Sequence, residues 1–268
     1  MVWPLPESDK FEIRAGDDSG TSGRGVYSRQ RLAAGTHILT TTPDQSPIAH
    51  VVLRIYRKEV CAWCFAYDRG RVWKHRRHGF AFCNLETCYP PWLDQNQGRL
   101  TVSSSSPCGP VDADIAHFLL SDNGSESLLS LVADTAVFKP GAAQEGPGLS
   151  IPSAERSQEL VSRAAHNAFS IRPTNDGDQS GEFLGYGVWP EASFFNHSCR
   201  PTVRKARQGR CWAFWVDGER EIGPGQELTI TYLGGDEREL TVEERRKRLQ
   251  DEWSFRCCCP RCVEEGGP

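Results

Sequence analysis

Four stretches of this chain carry side chains whose types and spacing could do chemistry. Near the end, Cys257-x-Cys259-x2-Cys262 packs three thiols too closely for a useful disulfide framework, a spacing that suits a small metal site. Much earlier, Cys61 to Trp92 hold four cysteines (Cys61, Cys64, Cys83 and Cys88) and two histidines, His75 and His78. Between these lie Asn196-His197-Ser198-Cys199 and Glu227-Leu228-Thr229-Ile230-Thr231-Tyr232, the second a β-branched alternation that ends on a phenol. Each piece alone is ordinary. Their order and separation carry the information.

Composition limits what such sites could serve. At 268 residues the chain suits one large domain, or one domain with small modules, and is long enough to bury a real core. Its 38% hydrophobic and 25% charged content fit a soluble globular protein. A net charge of −4 argues against gripping nucleic acid by bulk electrostatics. No apolar run approaches a membrane span, and an N-terminus with Pro4, Pro6, Glu7 and Asp9 does not read as a signal peptide. Eleven cysteines without a secretory signal favour reduced thiols and metal sites. An intracellular zinc protein of nucleus or cytoplasm is expected, without membrane or direct nucleic-acid contact and as a monomer.

The elements that must position these residues are short. From Phe11 to Pro43 the glycine-punctuated runs around Gly23-Arg24-Gly25-Val26-Tyr27 and His37 to Thr42 predict a hairpin. Apolar residues recur at helical spacing from Val111 to Phe138, broken by Ser121-Asp122-Asn123-Gly124 into two helices. Lys139 to Pro152 reads as a mobile loop, followed by a helix capped by Ser153. Beyond Phe169 the period shifts towards two. Phe183 to Val188 predicts a strand, Val203 to Arg207 with Cys211 to Val216 a hairpin turning at Gln208-Gly209, and Glu227 to Tyr232 another strand. Thr241-Val242-Glu243-Glu244 predicts a capping box opening a last helix.

Taken together, the motifs resemble the SET-and-MYND family of SET-domain protein lysine methyltransferases. The resemblance covers nearly the whole chain: Gly23-Arg24-Gly25-Val26, Asn167-x-Phe169, Gly187-Val188-Trp189-Pro190, Phe195-Asn196-His197-Ser198-Cys199-x-Pro201, the string from Glu219 to Tyr232, and Phe255-x-Cys257-x-Cys259-x2-Cys262. It implies an α+β, mainly β SET fold of short strands with pseudoknot-like threading. Residues 1–50 would form its N-terminal part, 51–100 an inserted MYND-like zinc finger, 101–160 a helical insert with a flexible loop, 161–238 the catalytic part, and 239–268 a post-SET helix and zinc cluster. It further implies S-adenosylmethionine as cofactor, met by Gly23, Arg24, Gly25, Asn167, Asn196, His197, Tyr232 and Phe255. Tyr232, Phe169 and Trp253 would line the methyl-transfer channel of an enzyme acting on a lysine of a protein or peptide, histone or otherwise. Two zinc ions are implied, one on Cys61, Cys64, Cys83 and Cys88, the other on Cys199, Cys257, Cys259 and Cys262.

The physical logic is compatible with that chemistry. A lysine amine, with a pKa of about 10.4, must be neutral to accept a methyl group, and an apolar channel beside a sulfonium disfavours its charged form. For any single aromatic residue, core packing is the bland alternative. Several departures stand out. The family's last His/Cys ligand pair after Trp92 is missing, so one zinc is expected in the finger, with His75 and His78 on a basic surface beside Lys74, Arg76 and Arg77. Cys258 could exchange with a neighbour, although the family spacing favours Cys257 and Cys259. Cys108 and Cys211 read as unpaired thiols, and Thr202 replaces the usual asparagine. The sequence ends soon after the last cysteines, so the helical-repeat domain of larger relatives is not expected and the substrate cleft should be more open. The competing reading is a catalytically silent SET/MYND scaffold that binds a peptide or partner protein.

Overall fold

A computed structural model of the chain describes residues 8–14, 24–42, 47, 49–56, 58–67, 73–74, 80–100, 166–174 and 182–267. In chain order its strands are β1 (Phe11–Arg14), β2 (Gly25–Ser28), β3 (His37–Thr40), β4 (Ala49–Val52), β5 (Trp73–Lys74), β6 (Ala81–Phe82), β7 (Ala168–Ile171), β8 (Gly185–Val188), β9 (Val203–Gln208) and β10 (Cys211–Val216). The helices are α1 (Tyr89–Leu100), α2 (Val242–Trp253) and α3 (Pro260–Gly266). The chain divides into two compact units: Met1–Ser46 with Trp189–Pro268, and Pro47–Val188. The first is therefore built from both ends of the sequence. No helix among the described residues is long and apolar enough to cross a membrane.

In the first unit β1 pairs antiparallel with β2, Ile13 facing Val26, and this is the hairpin of the N-terminal segment. β3, expected in that hairpin, instead lies antiparallel to β10 in the sheet β3-β10-β9. The reason lies in β2, which has β1 on one side while Leu228 N–H donates to Val26 O on the other (2.8 Å). With neither edge of β2 open, the apolar Ile38 and Leu39 bury against the equally apolar Cys-Trp-Ala-Phe-Trp-Val of β10. β9 and β10 form the expected hairpin, with the turn one residue later than predicted, at Gly209-Arg210, where Gly209 takes the left-handed region (φ 60°). Phe195 stacks on Phe214 at 4.6 Å in the core of this unit.

The predicted strand Glu227 to Tyr232 is not a ladder. It makes isolated bridges, Tyr27 to Glu227 and His197 to Ile230, and changes partner at almost every residue. Ile230 N–H donates to Asn196 O (2.9 Å), whereas Thr229 O accepts from Thr202 and Val203 (3.1 and 2.9 Å). Alternation placed Leu228 and Ile230 inside, where both are fully buried, but could not name three successive partners.

α2 opens with the predicted capping box: Thr241 Oγ1 accepts from Glu244 N–H (3.3 Å), and the Glu244 carboxylate accepts from Thr241 N–H (2.8 Å). It closes on Ser254, a non-glycine residue in the left-handed region (φ 61°). α3 starts with Pro260 at its first position, where the missing N–H costs nothing, and packs so tightly on α2 that a Cβ at Gly266 would meet Val242 at 2.9 Å.

In the second unit β4 and β7 flank β8, so that Gly187 lies opposite both His50 and Phe169. Phe80, Phe82 and Trp92 pack with Cys61, Ala62 and Cys88 in one cluster, the rings of Phe80 and Trp92 5.1 Å apart. α1 was not expected from the sequence. Pro90 and Pro91 lie in its first turn, where proline is tolerated. The apolar repeats from Val111 to Phe138, the Lys139–Pro152 loop and most of the helix after Ser153 lie outside the described residues.

Candidate active site and metal centres

Tyr232 lies where the irregular 227–232 segment ends, and its position is fixed at both ends. Its backbone N–H donates to His197 Nδ1 (3.0 Å), and its hydroxyl donates to Phe195 O (2.9 Å). The Trp253, His197 and Phe255 rings lie 5.4, 5.2 and 6.4 Å from the Tyr232 ring. Trp253 ends α2 and Phe255 follows its C-cap, so the left-handed turn at Ser254 presents both aromatics to Tyr232. Burial, helped by the Glu227 carboxylate, pushes the phenol up to about 12, so it stays protonated.

His197 is the joint of this arrangement. Because Nδ1 accepts from Tyr232, the neutral ring carries its proton on Nε2, which lies 3.2 Å from Cys199 Sγ and donates to it. Burial pushes the imidazole down to about 4, which keeps it neutral. Both ring nitrogens are thus engaged inside the protein, which leaves its backbone for any ligand contact.

Gly25, Asn196 and Glu227 meet at a second point. Asn196 Nδ2 donates to Glu227 Oε1 (2.8 Å), and a Cβ on Gly25 would lie 2.6 Å from that oxygen and 2.9 Å from that nitrogen. Glycine is needed here because the side-chain pair rests on its Cα. Arg24 lies beside it with its guanidinium 5.5 Å from the Phe194 ring centre. The role of Glu227 was not foreseen from the sequence. Its isolated carboxylate in a β-branched run was the available signal. Nearby, Lys205 Nζ donates to Thr231 O (2.5 Å), and burial pushes this amine down to about 8.

Cys199, Cys257, Cys259 and Cys262 converge with their sulfurs within 4.8 Å of one another. Cys199 lies 3.9 Å from Cys257 and 3.5 Å from Cys262. Four thiolates bound tetrahedrally at about 2.3 Å from zinc stand about 3.8 Å apart, so the group fits this ion. Thiol hydrogen bonds from Cys199 and Cys257 hold Cys259 well below the usual range, while the bond to Cys257 pushes Cys199 up. One thiolate is already favoured, as a soft divalent cation requires. Cys258 is exposed and outside the group. The cysteines share a core cluster with Leu233, Val242 and Leu249, against which Tyr232, Trp253 and Phe255 pack, so metal site and aromatic wall are one packed body.

In the second unit Cys61, Cys64, Cys83 and Cys88 form a similar group. Cys64 and Cys88 each lie 3.4 Å from Cys83, and hydrogen bonding from Cys64 pushes Cys61 down to about 5. Asn84 Oδ1 accepts from the N–H groups of Glu86 and Thr87 (2.7 and 3.0 Å), a turn that swings Cys88 back to Cys83. Phe169 lies on β7 of this unit and Asn167 in the helical turn just before it. Gly23, His75, His78 and Cys108 lie outside the described residues.

Short strands that change sheet partners, an aromatic-walled tyrosine and a four-cysteine group in each unit that could hold zinc define a class of β-rich, metal-binding folds. Residues 23–233 match the SET domain family model, and the chain belongs to the SET-domain family. It is 39% identical to the potential protein lysine methyltransferase SET6 of Saccharomyces cerevisiae over 99 residues, covering 37% of this chain and 26% of that one. Histone-lysine N-methyltransferase ASHR2 of Arabidopsis thaliana is 26% identical over 291 residues, covering 92% of this chain and 71% of that protein. Histone-lysine N-methyltransferase SMYD3 of Homo sapiens is 27% identical over 220 residues, covering 79% and 49%. The chain thus spans between about a quarter and just over two thirds of the length of these relatives. Among solved structures, the SET domain of LSMT bound to lysine and AdoHcy is similar over 94% of this chain and 54% of that one, with a TM-score of 0.42 and 13% identity.

Proposed function

We propose that this chain is a protein-lysine N-methyltransferase that moves a methyl group from S-adenosylmethionine to a lysine side chain of a protein or peptide. The observation that carries this reading is the setting of Tyr232, a protonated phenol with its hydrogen committed to Phe195 O and its ring among Trp253, His197 and Phe255. When bound, S-adenosylmethionine supplies the electrophilic methyl group. What the chain itself contributes is position and dryness.

A hydroxyl whose proton is already donated offers only lone pairs. Tyr232 therefore accepts an N–H from the incoming amine and turns the nitrogen lone pair away from itself. The apolar ring face of Trp253 disfavours the ammonium form. Gly25 and the Asn196–Glu227 pair offer a close-fitting backbone cradle to the cofactor, with Arg24, His197 and Phe255 as its further contacts. The family motifs give Phe169 a channel role and Gly23 and Asn167 a cofactor role. The lysine ammonium gives its proton to solvent before it meets the methyl group, and holding the neutral amine in line is then worth roughly 7–11 kcal/mol of barrier. Zinc on Cys199, Cys257, Cys259 and Cys262 would hold Phe255 and Trp253 in place, and zinc on Cys61, Cys64, Cys83 and Cys88 would order the finger.

Calorimetry with S-adenosylmethionine, paired with transfer of labelled methyl groups to histone and bulk protein fractions, tests the reading. The chain should bind the cofactor and label protein. Tyr232→Phe should bind it equally well and lose most transfer. An absence of cofactor binding would overturn the proposal in favour of a scaffold, and equal turnover by Tyr232→Phe would remove Tyr232 from the chemistry.

A further inference from the structure

Arg245 lies on α2 and is fully buried, its side chain 0% exposed. An uncompensated guanidinium in such a place is strongly destabilising, so negative charge must answer it. The visible carboxylate is insufficient. Glu265 meets Arg245 Nη2 at 2.5 Å, but its side chain is 39% exposed and is shared with Arg261 (2.7 Å). The pairing is also not bidentate, since Nη1 donates to Leu240 O (2.6 Å). The other polar contact of the guanidinium is to sulfur, while Nε has no hydrogen-bond partner. Nη2 lies 3.7 Å from Cys262 Sγ, which itself stands 3.5 Å from Cys199 Sγ.

Four thiolates around one divalent ion leave an excess of two negative charges in a buried site. Cys199, Cys257 and Cys262 are 3%, 2% and 0% exposed and Cys259 alone is half-buried, so water screens that excess poorly. In the other four-cysteine group Cys83 is exposed and Cys64 half-buried, so solvent does the screening there. We propose that Arg245 is the charge-compensating residue of the C-terminal metal centre, donating to Cys262 so that four thiolates can share one zinc in a site that water reaches poorly. The inference rests on the reading that these four cysteines bind zinc. His197 Nε2–H adds a neutral donor to the Cys199 sulfur of the same group. Metal-bound sulfur is therefore linked on one side to a buried cation and on the other, through His197, to the backbone of Tyr232.

The test is zinc content and zinc retention against a graded chelator, on the full chain and on Arg245→Met, Arg245→Lys, Glu265→Gln and Cys262→Ser. Arg245→Met should lose the C-terminal zinc at chelator concentrations about 10- to 100-fold below those the parent tolerates, with the second-unit zinc unaffected. Arg245→Lys keeps the charge without the fork and should fall between them. Glu265→Gln should hold zinc as well as the parent or better, because the guanidinium is then left to the sulfur. If Glu265→Gln releases zinc as readily as Arg245→Met, Arg245 is merely a partner of Glu265 and the inference is wrong. Parent-like retention in Arg245→Met overturns it equally. Should Arg245→Met not fold, the order of Arg245→Lys against Glu265→Gln still decides. Cys262→Ser should remove one zinc. An unchanged count would overturn the zinc reading itself, leaving Arg245 no metal to serve.

Discussion

Replacing Gly25 by alanine adds one carbon at a point where the structure has no room for it. That carbon would lie 2.6 Å from Glu227 Oε1, 2.9 Å from Asn196 Nδ2 and 3.1 Å from Tyr27 Cε2. Ordinary contact would be about 3.5 Å, so the Glu227 carboxylate must withdraw by nearly an ångström. Both displaced polar atoms are the ends of flexible side chains, so the β1–β2 hairpin itself need not move. The loss is instead the Asn196–Glu227 hydrogen bond, which involves a charged group and is worth about 1.5–3 kcal/mol. Because solvent can replace part of it, Gly25→Ala should cost stability about 1–2 kcal/mol, while cofactor affinity falls by about tenfold or more through the disordered cradle. Urea denaturation followed by tryptophan fluorescence gives the first quantity and calorimetry with S-adenosylmethionine the second. Shortening Glu227 to alanine removes the obstruction, so adding Gly25→Ala to that background should cost less than in the parent, a coupling of about 1 kcal/mol. Additive losses in the cycle, or a Gly25→Ala protein with parental affinity, would refute the cradle.

Three other perturbations have definite signs. Lys205 has a folded pKa near 8 against an ordinary 10.5, so the buried ammonium opposes folding below about 8, and stability should rise as pH climbs from there towards 10.5. Denaturation at pH 7.5 and 9.5 should show that rise in the parent and a smaller one in Lys205→Met, and identical pH profiles would remove Lys205 as its source. Ser254→Gly relieves a left-handed non-glycine C-cap and should stabilise the first unit by about 1 kcal/mol, read as a higher denaturation midpoint. Stripping the C-terminal zinc should loosen α3 and release Phe255 from the Tyr232 cluster, measured as faster amide exchange over residues 254–266. Unchanged exchange would uncouple that metal from the aromatic wall.

Local chemistry was legible in the sequence, whereas distant pairing was not. The spacing of Cys257, Cys259 and Cys262, the Cys61 and Cys83 pairs and the Thr241–Glu244 box are each decided within a few residues, and all three stand in the structure as read. Cys199 was tied to the last cysteines only through the order of family motifs, since no periodicity links residues 58 positions apart. β3 could not be assigned its partner because its position in sequence favours the neighbouring β2, whose edges are already closed by β1 and Leu228, so that the distant β10 receives it instead. The 227–232 segment reads as a strand because alternation reports burial, which it has, and not a ladder, which it lacks. Arg245 was hidden for the opposite reason. Within Glu243-Glu244-Arg245-Arg246-Lys247-Arg248 it looks like one more solvated charge, and only helical phase beside Val242 and Leu249 turns it inward.

The first unit is discontinuous, leaving the chain at Ser46 and resuming at Trp189, and this sets the order in which the protein can be completed during synthesis. β3 pairs with β10 and so has no partner until residues some 170 positions downstream emerge. At about 5–20 residues per second that wait is roughly 10–30 s, with Ile38 and Leu39 lacking their final cover. The second unit is continuous in sequence and can close during that interval. The last cysteines follow later still, so the four-cysteine group of the first unit can assemble only after its sheet is complete. A ribosome that stalls before Cys257 would therefore release a chain with its second unit formed and the four-cysteine group of its first unit incomplete, a substrate for quality control.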